Sequence, residues 1–522
     1  LQLSNYILVI CLHCLVLFPA TGTINMNTDN NPTAYYFSAS GNDNNDGGID
    51  HPMQTINKLN SLRLKAGDAV YFNASDVFKG SIIIDSSKYG TLTDPIVISS
   101  YGDGKATIDA GNDNALTVYN SAYIHISTVQ FKGSGRKRGN TKDGVTISNC
   151  KNISLSHLDI SDFQKSGLLI YASSEIAVDD VYAHNNGSAG ITAEGVYSNK
   201  LTSHNITITS CQAVNNPGDP TNLTNHSGNG IIVGHCTKIV IDNCMASDNG
   251  WDMPRKGNGP VGIWAYEADS VTIQHCLSYH NKTAPGAADG GGFDFDGGVT
   301  NSVIQYCLSY ENQGSGYCMF QYAGASPWYN NVIRFNISEN DGTVSDSRAG
   351  AYIWNSSGDE KQFYGCDFYN NTIYNSKEAA LSFSETSKRQ DFRFFNNILI
   401  GRDSLIKGDK GRDTFLGNDW RSITTLFNAD GIHDFDTWAK KYNQEIISGK
   451  IIGLNINPEF NHPGNADITS ADNLQQFINY QIPKSSLLRS NGIDLKSLFN
   501  VNNGGHDFFM GIPPANGIGA CF

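Results

Sequence analysis

Charge is scarce in this chain: Asp, Glu, Lys and Arg make up only 16% of its 522 residues, and the formal net charge is −14. The basic footprint that nucleic-acid phosphates require is missing, so nucleic acid is not an expected partner. The same deficit would repel a polyanionic sugar unless a cation or a local Lys/Arg cluster intervened. Beyond residue 18 no apolar run is long enough to cross a bilayer, which excludes a helical membrane span. Sequence for long amphipathic helices is also in short supply. Its place is taken by glycine, 53 residues, and by plentiful Asn, Ser, Thr and Tyr, a composition that turns often. Such a chain suits one elongated repeat architecture with its own caps, expected as a monomer. The apolar run at 6–18, followed by Pro19-Ala20-Thr21-Gly22, reads as a secretory signal over 1–22 and places the mature protein outside the cytoplasm, secreted or periplasmic. Cys11 and Cys14 fall inside it. The remaining cysteines are odd in number and do not suggest a complete disulfide framework.

Repetition organises the rest. After a Gly/Asn/Asp-rich turn at 41–48, a short helix at 53–62 and a strand at 68–72, an element of apolar-x-x-residue form recurs from about residue 96. Its fourth position is held by Val129, Leu158, Val181, Cys211, Cys244, Cys276, Cys307, Asn336, Asn371 and Asn397. Cysteines 31 to 33 residues apart match no compact metal motif and read as an inward ladder of small side chains. A second register consists of glycines, among them Gly144, Gly167, Gly190, Gly230, Gly262, Gly292, Gly316 and Gly350, each opening an alternating strand. Two registers per repeat describe a coil climbing one strand spacing, about 4.8 Å, per turn. The expected fold is all-β: a right-handed, single-stranded parallel β-helix of about ten rungs. Its N-terminal helical cap and first rungs span 34–110, the coil 111–400, and a C-terminal capping tail with a helix at 434–442 spans 401–522.

The repeats resemble those of right-handed parallel β-helix proteins of the pectin-lyase-like superfamily. The runs Gly259-Pro260-Val261-Gly262-Ile263-Trp264-Ala265-Tyr266, 289–298 and Gln305-Tyr306 carry the resemblance, which extends over roughly 34–522. It implies the β-helix fold and a secreted, carbohydrate-active protein with a polysaccharide partner.

Parity within the glycine register gives side-chain direction. First and third residues after each glycine are mostly apolar and point inward; second and fourth point outward. The outward set is Thr192/Glu194, Ile232/Gly234, Trp264/Tyr266, Asp294/Asp296, Cys318/Phe320 and Tyr352/Trp354. Two carboxylates on one strand face stand about 7 Å apart at their Cα atoms, the scale on which glycosidases divide acid, base and nucleophile duties. Asp294, Asp296 and Asp289 are therefore the candidate catalytic acids. Glu194, His235, Trp264, Tyr266, Glu267, Phe320, Tyr352, Trp354 and Lys256 are the candidate substrate-binding residues, since aromatic rings stack on the C–H faces of sugars while polar groups take the hydroxyls. Connections 215–230, 249–261 and 281–291 are expected to build one wall of a groove, bringing Trp251, Asp252, Arg255, Lys256 and Lys282 within reach.

Three functions follow. A glycoside hydrolase needs no cofactor. A uronate lyase or epimerase would need calcium: Ala288-Asp289-Gly290 and its spacing to Gly314-Ser315-Gly316 resemble the β-helix pectate lyases, but Ser315-Gly316-Tyr317-Cys318 stands where that family has paired aspartates. A non-catalytic carbohydrate-binding or adhesive β-helix would use the aromatic strip alone.

Overall fold

The computed structural model describes residues 32–197, 202–344, 349–384 and 388–522, so the expected signal at 1–22 lies outside the described residues. The chain coils as a parallel β-helix. Each turn adds a strand to a twelve-stranded sheet that runs from Ile82–Ile84 to Ile406–Lys407, hereafter the pocket sheet. The other faces of the coil merge into a 25-stranded sheet, because strands such as Lys151–Ser161 and Ser174–His184 bend around the corner between them. Pairing is in register from rung to rung: Val145 lies beside Leu168, Ile231 beside Ile263, Phe293 beside Tyr317. The alternate residues that the glycine register points inward, from Val145 and Ile147 to Ala351 and Ile353, all belong to one continuous buried core. No helix among the described residues is long and apolar enough to cross a membrane.

Corners are harder to build than faces, because a tight turn leaves backbone N–H groups inside the coil with no strand partner. Stacked side chains satisfy them. In one corner the backbone N–H of Asn186 donates to Oδ1 of Asn216 (3.0 Å), and the pattern repeats through Asn249, Asn281 and Asn312 to Asp341. In another, Cys211, Cys244, Cys276 and Cys307 form the expected ladder, each N–H reaching the next Sγ at 3.4 Å. From Cys307 onward asparagine takes over, through Asn336, Asn371, Asn397 and Asn418, and the ladder ends on Glu445. The nine described cysteines are all buried and free, a packing role and not a disulfide framework.

The coil runs past the boundary expected at 400. Asn397 passes its hydrogen bond to Asn418, only 21 residues on, and Ile398–Gly401 pairs with Asp419–Ser422. The spacing contracts here, which disguises the last rung in the sequence. At the N-terminal end α1 (Ile56–Ser61), capped by Thr55, buries Ile56 and Leu59 over the first rungs. At the other end α2 (Phe435–Tyr442), capped by Asp434, buries Phe435, Trp438 and Ala439, with Trp438 packed against Trp420. The remaining tail returns along the outside of the coil, where Leu474, Phe477 and Tyr480 cover Leu277, Leu308 and Ile337.

Burial gives the two ladder ends, Asp341 and Glu445, and the neighbouring Asp419 a pH signature. Desolvation pushes the carboxyls of Asp341, Asp419 and Glu445 up to about 7, against the opposing pull of their hydrogen bonds. The folded state therefore keeps protons that the unfolded chain sheds above about pH 4. This stabilisation is complete below that pH and is lost as pH rises through 7. The melting temperature is expected to be higher at pH 5 than at pH 8, with the difference reduced in Asp341→Asn and Glu445→Gln. A melting curve that rises toward pH 8 would contradict it.

Candidate functional site

On the outer face of the pocket sheet two columns of side chains run along the coil. One passes Thr192, Ile232, Trp264, Asp294, Cys318 and Tyr352; the other passes Glu194, Gly234, Tyr266 and then, past Asp296, Phe320 and Trp354. Asp296 follows directly on the strand Gly291–Phe295, and its N–H donates to Ala265 O at 2.9 Å. The expected parity holds: Phe293 and Phe295 enter the core, and the two aspartates leave it. The strip is less open than expected. Trp264, Asp294, Cys318 and Phe320 are buried. The wall-forming connections 215–230 and 249–261 and the Tyr322 ring close over the strip and turn it into a pocket of about 590 Å³.

Asp289 and Asp296 line this pocket, together with Trp264, Tyr266, Phe320, Tyr322, Tyr352 and Trp354. The rings form two groups. Trp264 and Tyr266 sit 5.5 Å apart on the N-terminal side of the aspartates, with His226 edge-on to Trp264; Phe320 packs against both Tyr352 and Trp354 on the C-terminal side. Asp289 Oδ2 accepts the N–H of Gly259 at 2.7 Å, which fixes the carboxylate against the wall. Asp296 Oδ1 accepts the N–H of Gly297 at 2.7 Å. Burial nonetheless pushes Asp296 up to about 6, helped by the neighbouring Glu267 charge. Asp294 lies beneath them, 2% exposed, its Oδ1 without a hydrogen-bond partner among the described residues. Desolvation, then the charges of Asp296 and Asp289, raise it well above the usual carboxylate range, so it stays protonated. Asp294 therefore takes no part in the wall of the pocket.

Missing side chains shape the site as much as those present. At Gly234 a Cβ would sit 2.4 Å from the Tyr266 ring and 2.5 Å from Glu194 Oε2. Its absence lets Tyr266 lean back across one rung and donate its hydroxyl to Glu194 at 2.7 Å. The other oxygen of Glu194 accepts from His235 Nδ1 at 2.6 Å. Glu194 and His235 therefore hold Tyr266 and do not themselves line the pocket, which revises their expected contact with substrate. Beyond Asp296, Gly297 makes room for the Tyr322 ring and Gly298 for the Glu267 carboxylate, each within 2.6 Å of where a Cβ would be. Glu267 also accepts the N–H of Ser326 at 2.7 Å, as a buried support behind Asp296.

Other expected participants lie elsewhere. Lys256 is exposed and lines no part of the pocket; Asp252 is engaged by Arg136 and Lys137, Trp251 by Asn215, and Lys282 lies toward Asp248. Of the expected loop residues Arg255 does line the pocket, and the structure adds Asn225, His226, Asn258 and Tyr322. Burial, then the Arg255 charge, lowers His226 to about 4, so its ring is neutral at the pocket wall. Tyr322 could have been flagged as the outward residue one step past Phe320; the loop residues gave no periodic signal.

Residues 35–348 match the family described as Pel9A-like, right handed beta helix region. The chain belongs to this family. No curated protein matches this Pel9A-like chain. Among solved structures it is similar to a GH136 lacto-N-biosidase from Eubacterium ramulus (16% identity, 73% of this chain and 67% of that one, TM-score 0.49). It is similar also to the pectate lyase Pel9A (14% identity, 93% and 96%, TM-score 0.43) and to a mannuronic acid specific family 6 lyase from human gut microbiota (13%, 74% and 86%, TM-score 0.40). At these identities none assigns a role to a residue of the Pel9A-like chain.

A calcium cage does not fit the donors present. Among the described residues no group of three His, Cys, Asp or Glu side chains is placed to hold a metal ion. One rung beyond Asp289, Ser315 is buried, Gly316 offers no side chain, and Tyr317 enters the core.

The Tyr266 arrangement is testable without a substrate. Gly234→Ala is expected to destabilise the fold by about 1–3 kcal/mol, the usual cost of overpacking, and to break the Tyr266–Glu194 hydrogen bond in a crystal structure of the variant. An unchanged melting temperature with Tyr266 in place would refute the close contact.

Proposed function

We propose that this protein is an extracytoplasmic carbohydrate-active enzyme, and specifically a glycoside hydrolase. The observation that carries this reading is the placement of Asp289 and Asp296 on the wall of one pocket between two groups of aromatic rings. Rings on both sides give stacking platforms for sugar units on either side of a scissile bond. Asp296, held protonated up to about pH 6, gives its proton to the leaving oxygen as the glycosidic C–O bond breaks. Asp289 supplies the carboxylate that deprotonates water or attacks the anomeric carbon, and the anomeric configuration of the first product tells the two apart. Tyr322, held protonated by burial and then by the neighbouring acids Asp296 and Glu267, is a hydrogen-bond donor at the same place.

The test is product analysis on neutral and uronic-acid polysaccharides. New reducing ends without the ultraviolet absorbance of an unsaturated uronate support hydrolysis; that absorbance would make the protein a lyase, and retention without cleavage a binder. Asp289→Asn and Asp296→Asn are each expected to lower turnover by about 100- to 10,000-fold. Asp294→Asn, which preserves both shape and neutrality, leaves turnover within a few-fold. Turnover falls as pH rises through about 6, when Asp296 loses its proton. Full activity in Asp296→Asn would sink the assignment.

A further inference from the structure

The second column of the pocket sheet does not begin at the pocket. Followed toward the N-terminus it passes from Tyr266 through Gly234 and Glu194 to Tyr171, Ser148 and Tyr119. Tyr119 and Tyr171 are 37% and 38% exposed, two rungs or about 10 Å apart. The serine between them leaves the space between the two rings open. In the adjacent column the half-buried Thr117 and Thr146 add hydroxyls, followed by Leu169 and then Thr192. The next residue of each rung, Asn120, Asn149 and Ala172, forms a stacked tight turn with φ near +50°. Above these turns lies an open cleft of about 830 Å³, overhung by Tyr89 and Leu92, which are 59% and 81% exposed. Lys151 is the one charged residue in its lining, so the chemistry of Asp289 and Asp296 has no counterpart here.

Exposed tyrosines at a two-rung interval, with amides and hydroxyls between them and almost no charge, match a sugar chain lying along the coil: rings meet C–H faces while amides and hydroxyls meet hydroxyls. A folded protein partner would need a broader apolar patch than these spaced rings provide. From Tyr171 the same column reaches Tyr266, at the pocket, in three rungs, about 14 Å. We propose that the early rungs form a second, non-catalytic glycan-binding site, taking a polysaccharide chain that runs parallel to the coil axis toward the pocket. Binding here does not depend on the hydrolase reading; only the delivery of the chain to Asp289 and Asp296 rests on it.

The test is electrophoresis of the full chain in native gels containing galactan, arabinoxylan, mannan or mixed-linkage β-glucan, run with Tyr119→Ala/Tyr171→Ala and Tyr119→Phe/Tyr171→Phe. At least one polymer is expected to retard the natural chain, with binding weakened about tenfold or more in the alanine variant and kept in the phenylalanine variant. Melting temperatures should match the natural chain in the phenylalanine variant and fall only slightly in the alanine variant, as both rings are more than a third exposed. For a polymer that is cleaved, kcat/KM on the long chain falls in the alanine variant while that on a short oligosaccharide stays the same. Equal retardation of all three proteins, or none by any polymer, overturns the proposal. Loss of hydrolysis in Asp296→Asn with retardation intact separates this site from the pocket. Concentration-dependent dimerisation abolished by the alanine variant would instead make the face an interface between copies.

Discussion

Everything in this protein depends on the internal hydrogen bonds of its corners. A parallel coil pairs its strands automatically once the rungs stack, but at each corner the backbone turns its polar groups toward an apolar interior. An unpaired buried N–H costs about 1–3 kcal/mol, and a coil of many rungs would meet that cost at every corner. Stacked Asn side chains remove it by reaching both ways: Asn281 Nδ2 donates to Ala246 O on one side and to Asn312 Oδ1 on the other. The thiol ladder does the same less strongly, at 3.4 Å to sulfur. Both asparagine ladders end on a carboxyl, Asp341 in one corner and Glu445 in the other, whose oxygens accept the last amide.

Because corners and interior fix the register, the outward positions of the pocket sheet are released from any structural duty. Function can then be built by subtraction. Removing a side chain at position 234 lets Tyr266 reach Glu194; removing two more at 297 and 298 admits the Tyr322 ring and the Glu267 carboxylate. A rigid ladder tolerates such gaps because its neighbours cannot collapse into them, in contrast to an isolated hairpin.

How far the sequence reveals this follows from the same division of labour. Strand direction was legible because glycines and alternating residues report parity without reference to the loops, and the cysteine register was legible because its spacing changes by only one or two residues per turn. The last rung was not, since its repeat shortens to 21 residues between Asn397 and Asn418. Exposure was the harder quantity. Parity says that Trp264, Asp294 and Phe320 leave the core, but not that loops and the Tyr322 ring then cover them. Loop residues carry no period at all. Lys256, Asp252 and Arg255 were all within reach by chain length, yet the first turns to solvent, the second toward Arg136, and only Arg255 faces the pocket, joined there by His226 from an earlier loop.

The three aspartates of the 289–298 segment illustrate how environment separates identical groups. Asp289 is tied by a backbone N–H from the loop wall; Asp296 combines one backbone N–H with partial burial; Asp294, buried and with its Oδ1 unpartnered among the described residues, is raised furthest toward the protonated form. Were all three ionised, their mutual repulsion in a desolvated wall would push the strand end apart, several kcal/mol at the effective dielectric of a protein surface. A neutral Asp294 removes the central charge, so the two acids on the pocket wall interact across a carboxylic acid and not across a third anion. The strand that carries it is clamped on both sides, by Val261–Tyr266 and by Tyr317–Gln321. The acid that looks most prominent in the sequence motif is thus the one whose burial takes its charge out of the cluster.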